Sequence, residues 1–239
     1  MSTLDYRTTT ALVTGANRGF GRHLAEQLVQ RGATVYAGAR RPESVDLAGV
    51  RPLRLDITDP ASVAEAAALA PDVTLLINNA GIATGAGLLD GDLAELRREF
   101  DTHVFGTLDV TRAFVPVIEA NGGGAILNVL SVLSWITFPA ISGYGAAKSA
   151  EWSMTNALRS ELAPRGIRVS GLHVGYMDTD LAAGVEAAKS DPADIARLAL
   201  DQLADGAHEI LADDLSHQVR SGLAGGVAAL YPELSRPGS

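Results

Sequence analysis

Short runs of aliphatic and β-branched residues alternate along the chain with longer stretches whose apolar positions recur every three or four residues. TALVT (10–14) is a continuous apolar run of strand length. Phe20, Leu24 and Leu28, flanked by Ala25 and Val29, then share one helical face, and Gly32 closes that helix. TVYAGA (34–39) and RPLRLD (51–56) read as the second and third strands. Asp59-Pro60 opens a helix through Leu69, with proline in the first turn, where its missing N–H costs nothing. VTLLIN (73–78) is a fourth strand, 92–120 one long helix, AILNVLS (125–131) a fifth strand, 142–163 a helix and IRVSGLHV (167–174) a sixth strand. A helix, the short strand HEIL (208–211) and a final helix follow. Strand–helix alternation predicts a doubly wound α/β fold. A parallel sheet of about seven strands is covered on both faces and joined by right-handed crossovers. No repeat and no Pro- or Gly-rich linker divides residues 1–239, so one domain is expected, with residues from about 233 to 239 as a disordered tail.

Composition narrows the partners. A formal charge of −9 disfavours nucleic acid and anionic membrane, both of which need clustered cations. With no cysteine there is no disulfide and no Cys-based zinc site, which agrees with a reducing cytoplasm. The opening MSTLDYRTTT lacks the basic-then-apolar layout of a signal peptide, so the expected location is cytoplasmic. Residues 125–147 are long and mostly apolar, but Asn128, Ser131, Ser134 and Pro139 interrupt them; a strand, a loop and a helix start fit better than a membrane span. The histidines outside 103 (23, 173, 208 and 217) have no ligand spacing, and no catalytic metal is expected.

TGANRGFG (14–21) follows the first strand and opens the first helix. Gly15, Gly19 and Gly21 let the backbone turn tightly and approach a ligand, and the helix start offers free N–H groups and a positive dipole end to a pyrophosphate. SGYGAAK (142–148) sets Tyr144 and Lys148 at i and i+4, on one helical face with only small residues between them. An ammonium beside a phenol favours the phenolate, which brings tyrosine toward the range where general acid–base work is efficient.

Taken in order, TGANRGFG, NNAG (78–81), Ser131 and Tyr144-x-x-x-Lys148 resemble the short-chain dehydrogenase/reductase family over nearly the whole chain. The resemblance implies a Rossmann-like single domain that binds a nicotinamide dinucleotide and interconverts a ketone or aldehyde and an alcohol. Tyr144 would donate the proton during reduction, Ser131 would orient the carbonyl, and Lys148 would lower the tyrosine pKa and bind ribose hydroxyls. Asn17, Arg18 and Phe20 in the glycine loop, Asp56 and Ile57 at the adenine, and Asn79, Ala80 and Gly81 would complete the cofactor contacts; Asn78 reads as structural. Relatives that use NAD commonly end the second strand with an acidic residue. Here Ala39 is followed by Arg40 and Arg41, and Arg18 is nearby, which points to NADP(H) and a clamped 2′-phosphate; alternatively the two arginines solvate a loop.

Two departures stand out. In FDTHVFG (100–106), His103 occupies the place of an asparagine that in many relatives helps order a water relay to the lysine. It is either a relay group or a satisfied core histidine. In HVGYMDTDL (173–181), Val174 replaces a proline, while Gly175 and Thr179 remain and Met177 is placed near the nicotinamide. The segment after Thr179 is short and Ala-rich, and Trp135, Ile136, Phe138, Tyr176, Met177 and Leu181 are candidate apolar lining; an apolar or aromatic small-molecule carbonyl substrate follows. The resemblance implies a homodimer or homotetramer built on the helices at 92–120 and 142–163, with Phe114, Val117 and Trp152 facing outward. ADDLSHQVRSGLAGG (212–226) reads as helix rather than as the family's glycine-rich final strand. A lyase or dehydratase on the same scaffold, or an NADP-sensing regulator without turnover, remain the alternative functions.

Overall fold

In the computed structural model, which describes residues 4–235, β1 (Thr10–Thr14) is an interior strand of a seven-stranded parallel sheet. Its side chains alternate: Ala11 and Val13 pack against α1 (Gly19–Gln30) on one face, and Leu12 joins the cluster on the other. β2 (Thr34–Ala39) and β3 (Val50–Arg54) extend the sheet in one direction, with Leu12 opposite Tyr36. β3 is the edge, where Pro52 removes no interior ladder bond. The chain then returns to the other side of β1 with β4 (Leu75–Asn78) and continues outward through β5 (Gly124–Val129), β6 (Ile167–His173) and β7 (Glu209–Leu211). The strand order β3-β2-β1-β4-β5-β6-β7 therefore reverses between β1 and β4, and a crevice opens there at the C-terminal strand ends.

Two apolar layers hold the sheet. On one face Leu24 and Leu28 of α1 and the apolar side of α6 (Pro192–Ala204) cover Val13, Val35 and Leu127. On the other, α2 (Pro60–Leu69) and α4 (Thr107–Ala120), together with the C-terminal half of α5 (Ser142–Leu162), cover Leu12, Leu76 and Ile126. α2 begins as its sequence predicts: the Asp59 carboxylate accepts from Ala61 N, and Pro60 occupies the first turn. Among the described residues no helix is long and apolar enough to cross a membrane.

Several expectations need correction. The helix expected over 92–120 is interrupted: α3 (Leu93–Phe100) and α4 are joined by a π-helical turn, Asp101–Gly106. β5 ends at Val129, two residues before Ser131, which instead caps a 3-10 turn at Val132–Ser134. Phe114 is fully buried against the sheet and does not face outward; the exposed aromatic of this region is Phe105, on the π turn. The final segment is helical, as α7 (Asp214–Gly222) and α8 (Gly226–Leu230). A 3-10 turn at Pro232–Ser235 takes in the start of the expected tail, and the remainder of that tail lies outside the described residues.

Candidate active site

A cleft of about 980 Å³ lies along the C-terminal ends of the strands. Its floor is the loop between β1 and α1. Gly15 and Gly19 have φ of +66° and +52°, a left-handed region that other residues enter at a cost. A Cβ on Gly21 would run into the Gly15 carbonyl and the Asn79 amide. The Asn79 side chain donates to Thr14 O at 2.9 Å and so fastens the β4 turn to this loop. The first turn of α1 has no side-chain cap and no acidic residue, so its N–H groups face the cleft without a protein anion. This is a cradle for a pyrophosphate.

All the expected cofactor contacts line this one cleft. Asn17 donates to Ser44 Oγ (3.2 Å) and links the glycine loop to the turn after β2, where Arg40 and Arg41 are exposed. Asp56 accepts from Thr58 N and its hydroxyl, and Ile57 lies beside it. Ala80 and Gly81 follow Asn79, and Phe20, Gly175 and Met177 close the opposite side. Thr179 reaches over the loop, 3.7 Å from where a Gly19 Cβ would stand. Arg18 pairs with Asp180 across the mouth at 3.2 Å. Asn78 is structural: its amide donates to Thr111 and to Asn128 in the interior.

The same cleft receives the proton-transfer candidates. Ser131 accepts from Leu133 N, which fixes its side chain in the cap of the 3-10 turn, where its hydroxyl faces Tyr144 across the cleft. Lys148 Nζ lies 5.8 Å from the Tyr144 ring centre and donates to Val129 O (2.8 Å) and Glu151 Oε2 (2.7 Å). Burial alone would lower the lysine pKa; the Glu151 carboxylate and the further negative groups around it outweigh that, so it is raised and the group is an ammonium. For Tyr144 the expected direction is reversed in the protein by itself. Burial raises the phenol pKa, Lys148 opposes, Glu151 and Glu99 add to the rise, and the nearby Ser131 hydroxyl, which lowers it, does not offset them. Burial is the main cause of the reversal and two carboxylates behind the lysine add to it; neither stands out in the sequence, where each reads as an ordinary charge on a helix. Only their i, i+4 and i, i+3 spacing to His103 and Lys148 connects them to the site.

His103 lines the cleft from the π turn, with its ring edge-on to Tyr144 at 5.2 Å. A Cβ on Gly81 would be 2.7 Å from His103 Cε1, so the last residue of NNAG must be small for the imidazole to sit there. Ile136, Phe138, Tyr176, Met177 and Leu181 line the outer cleft as expected. Trp135 does not: it is buried and stacks on His173 at 3.7 Å, beneath Arg220 of α7.

A reversing parallel sheet, a glycine cradle at its switch point and a Ser/Tyr/Lys cluster on the same cleft define an α/β oxidoreductase of the dinucleotide-binding class. The chain belongs to the short chain dehydrogenase family, whose model matches residues 9–190. It is 38% identical to a short chain dehydrogenase from Burkholderia cenocepacia J2315 solved in complex with NADP, with a TM-score of 0.92 over 98% of this chain and 100% of that one. It is 36% identical over 186 residues to the uncharacterized oxidoreductase YusZ of Bacillus subtilis, covering 72% of this chain and 66% of that protein. It is 35% identical over 180 residues to an NADPH-dependent 1-acyldihydroxyacetone phosphate reductase of Schizosaccharomyces pombe, covering 71% of this chain and 60% of that protein. The matches thus span about two thirds or less of the length of these two relatives.

Proposed function

We propose that this protein is an NADP(H)-dependent carbonyl reductase and alcohol dehydrogenase for apolar or aromatic ketones. One observation carries the reading: Tyr144, with Ser131 beside it and the Lys148 ammonium flanking it, opens onto the same cleft as the glycine cradle. Arg40 and Arg41, with no acidic residue at the end of β2, favour the 2′-phosphorylated dinucleotide, in line with the NADP and NADPH of the two relatives named for them. Bound NADPH supplies the hydride. Ser131 and Tyr144 hold the carbonyl oxygen between their hydroxyls, and Tyr144 gives its proton to that oxygen as charge develops there. Lys148 holds positive charge beside the phenol and limits the cost of the phenolate. Ile136, Phe138, Tyr176 and Leu181 form an apolar outer wall. Arg98, on the outer cleft, is paired with Glu95 at 2.5 Å, and among the described residues no unpaired cation lines the outer cleft around Phe138 and Leu181.

Loss of NADPH absorbance with a panel of aryl ketones, alongside acyl-dihydroxyacetone phosphate, tests this. Aryl ketones should be reduced, and Tyr144→Phe should lower kcat by roughly 10²- to 10⁴-fold while NADPH affinity stays near wild type. NADPH binding with no oxidation across the panel, or full activity in Tyr144→Phe, overturns the reading.

A further inference from the structure

His173, the last residue of β6, is 1% exposed and lies beneath the cleft rather than on its wall. It reaches the peptide that joins Ser131 to Val132. That peptide is held by two consecutive residues at the end of β6: its N–H donates to Val174 O at 3.0 Å, and its carbonyl lies 3.2 Å from His173 Nδ1. A carbonyl can only accept, so Nδ1 carries the hydrogen and donates. The same carbonyl accepts from Ser134 N at 3.0 Å, but that donor belongs to the 3-10 turn that Ser131 itself caps and moves with it. Ser131 Oγ is fixed by Leu133 N within this turn, so the direction it presents to the cleft follows the seat of the turn on β6.

The imidazole is clamped in turn. Trp135 stacks on it at 3.7 Å with 14° between the planes, and Arg220 of α7 lies 5.7 Å from the Trp135 ring centre. Arg220 is anchored by Glu209 of β7 at 2.8 Å. Trp135 Nε1 is buried without a hydrogen-bond partner, so the indole is seated by its faces. This column fixes the plane of the His173 ring and therefore the aim of Nδ1. Packing alone does not call for an imidazole at this place. A hydrocarbon side chain would fill it without burying polar nitrogens, which is costly. The contact a hydrocarbon cannot make is the one to Ser131 O.

We propose that His173 is a positioning residue for Ser131: its Nδ1–H seats the serine's peptide so that the hydroxyl meets the substrate carbonyl oxygen alongside Tyr144. The proposal rests on the reading of Ser131 as the group that orients the carbonyl.

A double-mutant cycle on kcat, with the best aryl ketone, tests this in wild type, His173→Phe, Ser131→Ala and the double variant. Phe keeps a ring face for Trp135 and removes the donor. One buried hydrogen bond sets the scale, so His173→Phe should lower kcat roughly 3- to 10-fold, with NADPH affinity, read by fluorescence, near wild type. With Ser131→Ala already in place the same exchange should change kcat by less than about twofold, because the residue it acts through is gone. His173→Asn supplies the contrast. Its amide nitrogen hangs on Cγ, as Nδ1 does, but the stack on Trp135 is lost. It should recover most of the kcat that His173→Phe loses, while unfolding at a lower temperature than His173→Phe. A packing role gives the opposite order, with Phe faster than Asn. That order in folded proteins, an equal loss in both backgrounds of the cycle, or no loss in His173→Phe overturns the proposal. If circular dichroism shows His173→Asn misfolded, the cycle alone decides. Full activity in Ser131→Ala removes the reading of the serine itself; a slow Ser131→Ala with additive losses removes only the role of His173.

Discussion

Arg40 and Arg41 stand where β2 delivers the chain to the cleft, at a position where a carboxylate would repel a phosphate monoester. A charged hydrogen bond from guanidinium to phosphate contributes about 1.5–3 kcal/mol. Arg40→Asp should therefore lower kcat/KM for NADPH by roughly 10- to 100-fold and leave NADH turnover equal or better. Steady-state rates with both coenzymes check this, and a wild-type preference for NADH removes the argument. This position was readable from sequence because a cation at the end of β2 has few structural uses. Residues whose surroundings come from distant segments were not. Trp135 looked like cleft lining because it follows Ser131 closely; the partners that bury it, His173 and Trp152, are remote in the chain. Phe114 looked outward-facing because the helical phase was carried through 92–120 without a break, and nothing in the local sequence marks Glu99 and Glu151 as buried.

The β1–α1 turn is the element on which cofactor geometry depends, and its strictest position is Gly21. An added methyl there meets a backbone carbonyl and the Asn79 amide that fastens β4, and neither can swing away. Gly21→Ala should lower unfolding stability by about 1–3 kcal/mol and sharply weaken NADPH binding. Gly184→Ala, where an added Cβ meets nothing within 4 Å, should change neither. Thermal unfolding with and without NADPH distinguishes the two, and a normal Gly21→Ala contradicts the cradle. Elements of this kind were legible: glycine spacing, the Asp59-Pro60 start and the apolar runs placed β1, β2 and α2 within a residue. The π turn was not. Its insertion leaves the residues of α3 and α4 as good helix formers on either side, so hydrophobic period alone reads straight through it.

For the molecule as a whole, alternation of strands and helices was enough to predict parallel layers, since right-handed crossovers leave few ways to wind them. The attachment of the C-terminal segment was hidden, because its partners are remote in the chain: Val219, Leu223 and Leu230 pack with Val132, Leu133 and Trp135, Arg220 lies over Trp135, Tyr231 accepts from Thr137 N, and Asp213 accepts from Gly175 N at 2.6 Å. His173 lies under this region, pressed against Trp135, with Nδ1 3.2 Å from Ser131 O. Burial drives its pKa down to about 4, with Arg220 and Arg159 adding to the fall; the Ser131 carbonyl and Glu209 oppose it without prevailing. An unfolded-chain histidine titrates near 6.5. Between those values the unfolded chain binds the proton and the native protein does not, so stability rises with pH across the window and falls as pH drops through it. This one residue should withdraw about 2 kcal/mol of unfolding free energy between pH 7 and pH 5. Glu99, whose pKa is lowered, acts in a separate window: its contribution is lost only as pH falls below the ordinary carboxylate range. His173→Phe keeps an aromatic face for Trp135 and cannot titrate. Urea unfolding of both proteins at the two pH values should show the wild type losing more stability on acidification than the variant, by about that amount. Equal losses would mean that His173 takes up its proton in the folded protein as readily as in the unfolded chain, and that the layer joining the C-terminal helices to the cleft is open to water.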